Sequence, residues 1–500
     1  MDILNQLVFG LGVAVSPINL LYCFVGVLIG TLVGVLPGLG PIATISMLLP
    51  ITFTLPADTS IIMLAGIYYG AQYGGSTTSI LINIPGEASS VVTALDGHAM
   101  ARAGRAGQAL GIAAIGSFIA GSVATLVIAL FAPILSGVAL SFRPADYFSL
   151  MVFGLVAAVV LASGSVLKAL AAIVLGLLLG LVGSDVNSGA LRFTGGMPEL
   201  MNGLEFVVIA MGLFGIADAI ANVQAKHASD LTTSRIGTLL PRWKELRHCL
   251  PSIGRGTVIG SVLGLLPGGG ALLSSFAAYS IEKKVARHPR TFGEGDIRGV
   301  ASPEAANNAG AQTSFIPLLT LGVPSNPTMA LVLGALMIQG ITPGPQVMTE
   351  RPELFWGLIA SMWIGNVMLV VLNIPLIGLW VRLVTVPYHY LYPAILVFCC
   401  VGAYTVNNNP FDIVVMSLAG LLGYVLILFR CEPAPLVLGF ILGPLMEENM
   451  RRALLISKGD PSVFLTQPIS AAFLAASLGV LCLMGLSSFR RTREIAMQDP

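Results

Sequence analysis

The sequence predicts an all-α polytopic membrane protein with two inverted-topology repeats, each containing a re-entrant hairpin and a broken helix. Three observations predict this class. Of the 500 residues, 55% are hydrophobic and 10% are charged, whereas a soluble domain carries about 25% charged residues. The motif GVLPGLGP, which begins at Gly34, returns as GLLPGGGA, which begins at Gly264. Lys and Arg residues cluster around the second copy but not around the first.

The two glycine-rich motifs belong to longer matching stretches. Residues 26–40 and 256–270 share 8 identities in 15 positions at a shift of 230. Residues 68–90 resemble residues 307–329, and both stretches contain the tripeptide Gly-Ala-Gln. Chance similarity between Gly-rich membrane helices is the alternative, but two matching stretches in the same order favour an internal repeat. The predicted parts are a first transmembrane repeat (1–225), a cytoplasmic basic linker (226–255) and a second transmembrane repeat (256–500).

Each glycine-rich stretch is predicted to form a re-entrant hairpin. Its glycines recur every four residues, which places them on one helix face where another helix can approach closely. A Pro-Gly pair then ends the helix, because Pro lacks an N–H and Gly tolerates positive φ. The apolar pieces on the two sides of the break are about 10–14 residues long, which is short for a full span.

The charges around the hairpins predict that they enter the membrane from opposite faces. Basic residues flank residues 257–281 on both sides. Because cytoplasmic loops are rich in Lys and Arg, both ends of this hairpin are expected in the cytoplasm. The first hairpin, about residues 27–55, has no Lys or Arg on either flank between residues 1 and 101. Its two ends are therefore expected outside.

The remaining apolar segments are predicted to cross between the two faces. Residues 61–96 run inward through one break, and residues 303–345 run outward through another. Residues 1–20 are ambiguous and can hold another helix, and residues 433–446 are short for a full span. Other spans are predicted near residues 107–137, 147–163, 165–184, 200–221, 353–385, 388–406, 410–429 and 464–486.

Four breaks inside the membrane define the predicted binding site. Backbone that leaves the helix there must be buried in protein or line a wet cavity, where free N–H groups hold anions and free C=O groups hold cations. The interruptions NIPGEASS (83–90) and GVPSNPT (322–328) place Pro beside small polar residues. Packing kinks and hydroxyls bonded to their own helix are the alternatives. The residues predicted to bind a carboxylate substrate are Gly38, Gly40, Ser89, Gly268, Gly270, Ser325, Asn326 and Thr328.

Two carboxylates near these breaks are candidates for ion binding or coupling. Glu87 lies at the first interruption, where a carboxylate is costly unless it binds a cation or a proton, or reaches water. Glu304 follows Ser302 and Pro303, so the chemistry of a helix start competes with an ion-binding role. The sequence has no HExxH motif and no His–Cys cluster, so no metal is predicted beyond sodium. The predicted ion-binding or coupling residues are Pro85, Glu87, Glu304, Asn307, Asn308 and Pro324.

Long motifs in the chain resemble those of a known family, the large membrane subunit of the tripartite tricarboxylate transporters of bacteria. The resemblance covers nearly the whole chain. It implies a carrier in the bacterial inner (cytoplasmic) membrane that works with a small membrane subunit and a periplasmic solute-binding protein. It also implies uptake of carboxylates such as citrate, coupled to an ion gradient. The matching stretches are GVLPGLGPIATISMLLPITF, YYGAQYGGSTTSILINIPGEASSVVTALDGHAMARAGRAGQALG, GLLPGGGALLSSFAAYSIEKK, FGEGDIRGVASPEAANNAGAQTSFIPLLTLGVPSN and ALMIQGITPGPQVM.

The expected function is secondary active import of a tricarboxylate or dicarboxylate, with sodium ions or protons as the coupling ions and no other cofactor. A carboxylate-permeable channel and an intramembrane enzyme are the alternatives. Missing metal motifs disfavour the enzyme, and so does the absence of paired aspartates inside the predicted spans. The lipid bilayer is the expected environment, and nucleic acid is not an expected partner because no basic stripe lies in a folded polar region.

Overall fold

A computed structural model describes residues 3–36, 40–161, 165–185, 188–224, 238–266, 270–286, 288–384 and 388–496. The chain is 80% helical, which confirms the predicted all-α class. The α-helices are α1 Ile3–Ala14, α2 Pro17–Gly34, α3 Pro41–Thr52, α4 Ala57–Ile82, α5 Val91–Met100, α6 Ala106–Ala139, α7 Pro144–Leu161, α8 Val166–Gly180, α9 Phe206–Ala210, α10 Ala217–Gln224, α11 Trp243–Gly264, α12 Gly270–Val285, α13 Arg298–Thr313, α14 Phe315–Leu321, α15 Pro327–Ile338, α16 Val347–Glu350, α17 Pro352–Asn373, α18 Ile377–Val384, α19 Tyr388–Asn407, α20 Pro410–Leu428, α21 Ala434–Ile456, α22 Val463–Thr466 and α23 Pro468–Ala496. Two short strands, β1 Gly183–Ser184 and β2 Leu191–Arg192, pair antiparallel.

Four helical stretches of the described chain are long and apolar enough to cross a membrane. They are Pro17–Gly34, Ala88–Ala139, Pro352–Asn373 and Pro410–Leu428. Shorter apolar helices accompany them, among them Pro41–Thr52 and other helices of 10–17 residues. These lengths fit a membrane protein, and the re-entrant path of the hairpins stays a prediction.

The chain forms two compact units, and each takes residues from both parts of the sequence. Unit 1 comprises Met1–Gly137 and Val207–Val425, and unit 2 comprises Val138–Phe206 and Leu426–Pro500. In unit 2, α21 packs on α7 and α8, and α23 packs on α7. The β1–β2 hairpin is joined to α21 there by ion pairs.

The ion pairs of unit 2 explain why α21 is longer than the sequence suggests. Asp185 accepts hydrogen bonds from Arg451, and Glu447 accepts from Arg451 and Arg192. Glu447 and Arg451 are four residues apart, a spacing that stabilises a helix. The apolar segment 433–446, which looked short, therefore continues into a charged end and reaches Ile456 as one helix.

Two pairs of helices in unit 1 pack through the glycines that the sequence placed on one face. A Cβ atom added to Gly26, Gly30 or Gly34 of α2 would lie 2.3–2.4 Å from a backbone oxygen of α4. A Cβ atom added to Gly256, Gly260 or Gly264 of α11 would lie 2.2–2.4 Å from a backbone oxygen of α13. Such separations are possible only without a side chain, because they bring two backbones into direct contact. The facing oxygens are those of Met63, Ile67, Ala71, Ser302, Ala306 and Gly310.

Both predicted interruptions are present, and they have the same backbone plan. The helix before each one ends at a residue in the left-handed region, Asn83 with φ of 59° and Gly322 with φ of 69°. An extended residue then precedes the next helical turn, namely Glu87 in the first interruption and Asn326 in the second. Asn and Gly are the residues that tolerate the left-handed conformation best, which explains why the helices stop where they do.

The start of α13 differs from one interpretation of the sequence. Ser302 and Pro303 looked like the beginning of a helix, but α13 begins at Arg298. The side chain of Asp296 accepts a hydrogen bond from the backbone N–H of Arg298 at 3.0 Å, and this satisfies a free donor of the first turn. The helix-start explanation of Glu304 is therefore wrong, because Glu304 lies in the second turn of an established helix.

Asp96 ties α5 to the loop that precedes α13. This aspartate, the last residue of the predicted inward segment 61–96, is fully buried. One of its oxygens accepts from the backbone N–H groups of Gly293, Gly295 and Asp296 at 2.8–2.9 Å. Its other oxygen accepts from the Tyr279 hydroxyl at 2.9 Å. A carboxylate from the first half of the sequence thus organises a loop of the second half.

Candidate functional site

The two interruptions make equivalent contacts with the long helices of unit 1. Asn307 of α13 donates from its amide to Glu87 Oε1 at 3.0 Å. Asn326 donates from its amide to the Tyr68 hydroxyl of α4 at 3.4 Å. Each contact joins an interruption from one half of the sequence to a helix from the other half.

These contacts are related by one shift in sequence. Tyr68 and Asn307 are 239 positions apart, as are Glu87 and Asn326. The helix packing has the same register in both halves. Ile67 and Ala306 face the second glycine of their helix pairs, and Tyr68 and Asn307 are the residues that follow them. A carboxylate in the first half therefore corresponds to an amide in the second.

Hydroxyl and amide groups surround Glu87. The Ser89 hydroxyl donates to Glu87 Oε1 at 2.5 Å, beside the amide of Asn307. The Ser90 hydroxyl donates to the backbone oxygen of Glu87 and lies 2.7 Å from the Ser79 hydroxyl. Glu87 is partly buried, and these neutral groups are the partners that the described residues give it. Ser89, predicted as an anion ligand, is turned toward a carboxylate.

Asn326 organises the second interruption. Its side-chain oxygen accepts from the backbone N–H of Met329 at 2.9 Å and caps α15. Its amide also lies 3.2 Å from the Ser314 hydroxyl, and the Ser325 hydroxyl donates to the Ser314 backbone oxygen at 3.4 Å. A Cβ atom added to Gly270, whose φ is +44°, would lie 3.1 Å from the Asn326 side chain. Three predicted residues, Gly270, Ser325 and Asn326, are therefore brought together.

Glu304 forms a second polar centre deeper in unit 1. It is 1% exposed. Its Oε2 atom lies 2.7 Å from the Ser76 hydroxyl, and its Oε1 atom accepts from the Thr93 hydroxyl at 2.5 Å. The amide of Asn308 donates to the Glu304 backbone oxygen at 3.2 Å and to Ser117 Oγ at 2.6 Å. Glu304 and Asn308, both predicted, thus lie in one network.

Other predicted residues contribute less. Pro85 is exposed, and Pro324 is buried but has no polar side-chain atom. Thr328 is 5% exposed in the first turn of α15. Gly40 is the residue before α3, and a Cβ atom there would lie 3.7 Å from the Gly86 backbone oxygen of the first interruption. Gly38 and Gly268 lie outside the described residues.

Several polar residues of the site were not singled out from the sequence. Ser76, Thr93 and Tyr68 hold the predicted residues in place, yet they look like ordinary members of apolar helices. Gln72 and Gln312 are also fully buried, and amide atoms of both lack a hydrogen-bond partner within the described chain. The repeated Gly-Ala-Gln tripeptide was the available signal for the two glutamines, because both stand at its third position.

The chemistry of the site favours cations and small anions rather than a bond-breaking reaction. Glu87 and Glu304 are the two carboxyl groups of the site, and within the described residues their side chains contact hydroxyl and amide groups. The start of α15 supplies backbone N–H groups, one of which Asn326 already occupies. Such a site can hold a cation against a carboxylate and an anion against N–H groups.

Comparison with known proteins agrees with this picture. The model of the tripartite tricarboxylate transporter TctA family matches residues 20–438. An uncharacterized 52.8 kDa protein in the TAR-I ttuC′ 3′ region of Agrobacterium vitis is 58% identical over 494 residues, which are 99% of this chain and 98% of that protein. A second uncharacterized protein, in the TAR-II ttuC′ 3′ region of the same organism, is 60% identical over 235 residues, 47% of this chain and 97% of that protein. No solved structure matches the chain. The resemblance seen in the sequence is confirmed, and the chain belongs to the tripartite tricarboxylate transporter TctA family.

Proposed function

We propose that this protein is the carrier subunit of a tripartite system that imports a tricarboxylate or dicarboxylate across the bacterial inner membrane. A periplasmic solute-binding protein delivers the substrate, a small membrane subunit accompanies the carrier, and a sodium or proton gradient drives uptake. Membership of a tripartite transporter family supports the partners. The substrate and cation sites that we propose for the carrier are formed by residues of this chain.

One observation carries the proposal: the matched contacts at the two interruptions. Glu87 bonds to Asn307, and Asn326 bonds to Tyr68, at the equivalent places of the two halves. Non-helical backbone within a membrane persists where it is buried in protein or lines a wet cavity. Binding sites at paired helix interruptions of two repeats are the common plan of secondary carriers.

The substrate carboxylate is held mainly by backbone N–H groups and neutral side chains. The residues at the two interruptions, 83–90 and 322–328, include no Lys or Arg. An anion bound there keeps part of its charge uncompensated, and burying such a charge is costly. A cation bound beside Glu87 offsets that charge. The substrate and the cation therefore stabilise each other.

Alternating access follows from the proposed inverted arrangement. The α2–α3 and α11–α12 segments act as hairpins that enter from opposite faces, and each lies against the broken helix of its own half through the glycine contacts. Movement of one hairpin and interruption relative to the other opens the site to one side at a time.

Uptake into proteoliposomes tests the proposed function. The carrier and its small subunit are reconstituted, the binding protein is added outside with labelled citrate or a labelled dicarboxylate, and a sodium or pH gradient is imposed. We expect saturable accumulation above equilibrium that requires the binding protein. Equilibration without accumulation, independent of the binding protein and of both gradients, indicates a channel and contradicts the proposal.

A further inference from the structure

The surroundings of Glu304 have a feature that the predicted ion role does not explain. The Ser76 hydroxyl lies 2.7 Å from Glu304 Oε2 and also 3.1 Å from the backbone oxygen of Gln72. A hydroxyl has one proton to donate, so an ionised Glu304 and Gln72 compete for it. If Glu304 carries a proton on Oε2, Glu304 donates to Ser76 and Ser76 donates to Gln72. All of these contacts are then hydrogen bonds.

The oxygen separations also fit a proton. Ser76 Oγ and Thr93 Oγ1 lie 2.7 Å and 2.5 Å from the two carboxyl oxygens. These are the separations of direct O–H···O hydrogen bonds. The two hydroxyls approach the carboxyl directly and leave no gap for a metal cation between them and its oxygens.

Among the described residues, no Lys, Arg or His side chain has a contact with Glu304. Within the described part of the chain, an ionised carboxylate there has Glu87 and Tyr73 as titratable neighbours, and neither can neutralise it. A buried charge without a counter-charge is costly, so the site favours the neutral acid. Several charged or titratable groups of the described nearby elements have other partners: Asp96 bonds to the loop before α13, His98 to Ile80, Arg298 to Asp296, and Glu282 to Arg255, while Lys283 and Lys284 are exposed.

A pocket reaches this carboxyl group. It has room for about one water molecule, and its polar lining consists of Tyr73, Ser76, Thr77, Ser117, Glu304 and Asn373. Its apolar lining comes from α6, α18 and the segment before α11. That segment is part of the basic linker 226–255, which the sequence predicts to be cytoplasmic. If the linker is cytoplasmic, as the sequence predicts, this pocket is the proposed path of the proton between Glu304 and water on that side.

We propose that Glu304 is the proton-binding group of the transport cycle and that it is protonated in the state described here. A proton taken from water binds Glu304 Oε2, and its release through the pocket leaves the carboxylate and returns the proton to water. This inference rests on the proposed function, because it identifies the coupling ion and its binding residue. It assigns the proton to Glu304 and leaves Glu87 available for the substrate site.

Infrared spectroscopy of the reconstituted full-length protein tests the protonation directly. The neutral carboxyl C=O stretch is recorded at neutral pH for the wild type, Glu304→Gln and Glu282→Gln. Glu282 is the matched control, because it is also 1% exposed but is paired with Arg255 at 2.7 Å. We expect Glu304→Gln to lose the absorbance of one neutral carboxyl group and Glu282→Gln to lose none. An unchanged band in Glu304→Gln contradicts the inference.

The pocket is tested with a variant that fills it. Ala114→Leu adds bulk to the pocket wall beside Ser117, and we expect it to slow the shift of the Glu304 band after transfer to D2O. Ala103→Leu makes the same substitution at an exposed residue just before α6 and serves as the control. Equal exchange rates in the two variants contradict the proposed route.

Transport separates this inference from the proposed function. If the wild type accumulates a carboxylate with a pH gradient and Glu304→Gln does not, both stand. If Glu304→Gln still accumulates substrate with a pH gradient as the wild type does, the proton assignment is wrong while the carrier function stands. If the wild type transports no carboxylate under any gradient, the proposed function fails, and the infrared result still decides the protonation of Glu304.

Discussion

Glu87 and Asn326 occupy equivalent backbone positions and make equivalent contacts, but their chemistry differs. Both are extended residues that precede a helical turn. Glu87 can balance a cation, whereas Asn326 caps α15 with its oxygen and donates from its amide. Because one half of the site offers a carboxyl group and the other an amide, the two halves suit different ligands. Such a difference fits a site that binds one anion and one cation.

Removing the charge of Glu87 tests its part in the site. Glu87→Gln keeps the size of the side chain and can still accept from Asn307, but it cannot balance a cation. We expect the affinity for the carboxylate in the presence of sodium to fall about tenfold, which is about 1.4 kcal/mol. Glu199→Gln, at an exposed residue of unit 2, is the control. Equal affinities of the two variants in a binding titration count against a role for Glu87.

At this scale the sequence predicted the acidic and amide residues but not their partners. Glu304 and Asn308 stood out because charged and amide groups are rare in an apolar helix. Ser76 and Thr93 did not, because hydroxyls are common in such helices and their contacts with Glu304 join residues 228 and 211 positions apart. Only the tertiary structure supplies those pairs.

The glycine-lined helix pairs are the elements that hold the two interruptions in place. In α11, Gly260 faces the Ala306 backbone oxygen, whereas an added Cβ atom at Gly254 meets nothing within 4 Å. Replacing each glycine by alanine therefore separates two effects on stability: the gain from higher helix propensity, and the loss from disturbed helix packing.

Alanine at these two positions is expected to have opposite effects. Gly260→Ala should lower the free energy of unfolding by about 1–3 kcal/mol, because the added methyl group forces the backbones apart. Gly254→Ala should raise it by about 0.5–1 kcal/mol, because alanine favours the helix. Thermal unfolding of the purified variants in detergent gives the comparison. A similar effect of both substitutions contradicts the close packing of α11 on α13.

The interruptions were predictable as elements, and several helix lengths were not. Pro and Gly marked the breaks at 83–90 and 322–328, because these residues cannot continue a helix or do so at a cost. The start of α13 was misjudged, since the hydrogen bond from Arg298 to Asp296 begins the helix before Ser302. The end of α21 was misjudged as well, because a pattern of hydropathy does not register the ion pairs that extend a charged helix end.

For the whole molecule, the inverted arrangement makes a prediction about membrane sides. Thr54 and Lys284 are both exposed, and they lie at the ends of α3 and α12 that are far from the hairpin tips. Single cysteines at these positions therefore report the membrane side of each hairpin end. In a background without the native cysteines, an impermeant thiol reagent on intact cells should label Thr54→Cys and not Lys284→Cys. Permeabilised cells provide the control, in which both label. Labelling of both variants or of neither in intact cells contradicts the inverted arrangement.

The two compact units were not foreseen, because the repeat suggested a division along the sequence. Unit 1 contains both interruptions and both glycine-lined helix pairs, and unit 2 is assembled from the later segments of each half. The sequence repeat records similar pieces of chain, whereas compactness depends on contacts between distant residues that no local pattern reveals.

The most direct test of the account is whether carboxylate and cation bind together. Calorimetry on the purified carrier measures carboxylate affinity with and without sodium, and at several pH values. We expect affinity to rise with one of these cations, and the cation to bind more tightly by the same factor when the carboxylate is present. A carboxylate affinity that changes with neither sodium nor pH would contradict a site built from helix interruptions and a co-bound cation. So would the finding that a Lys or Arg is the essential partner of the anion.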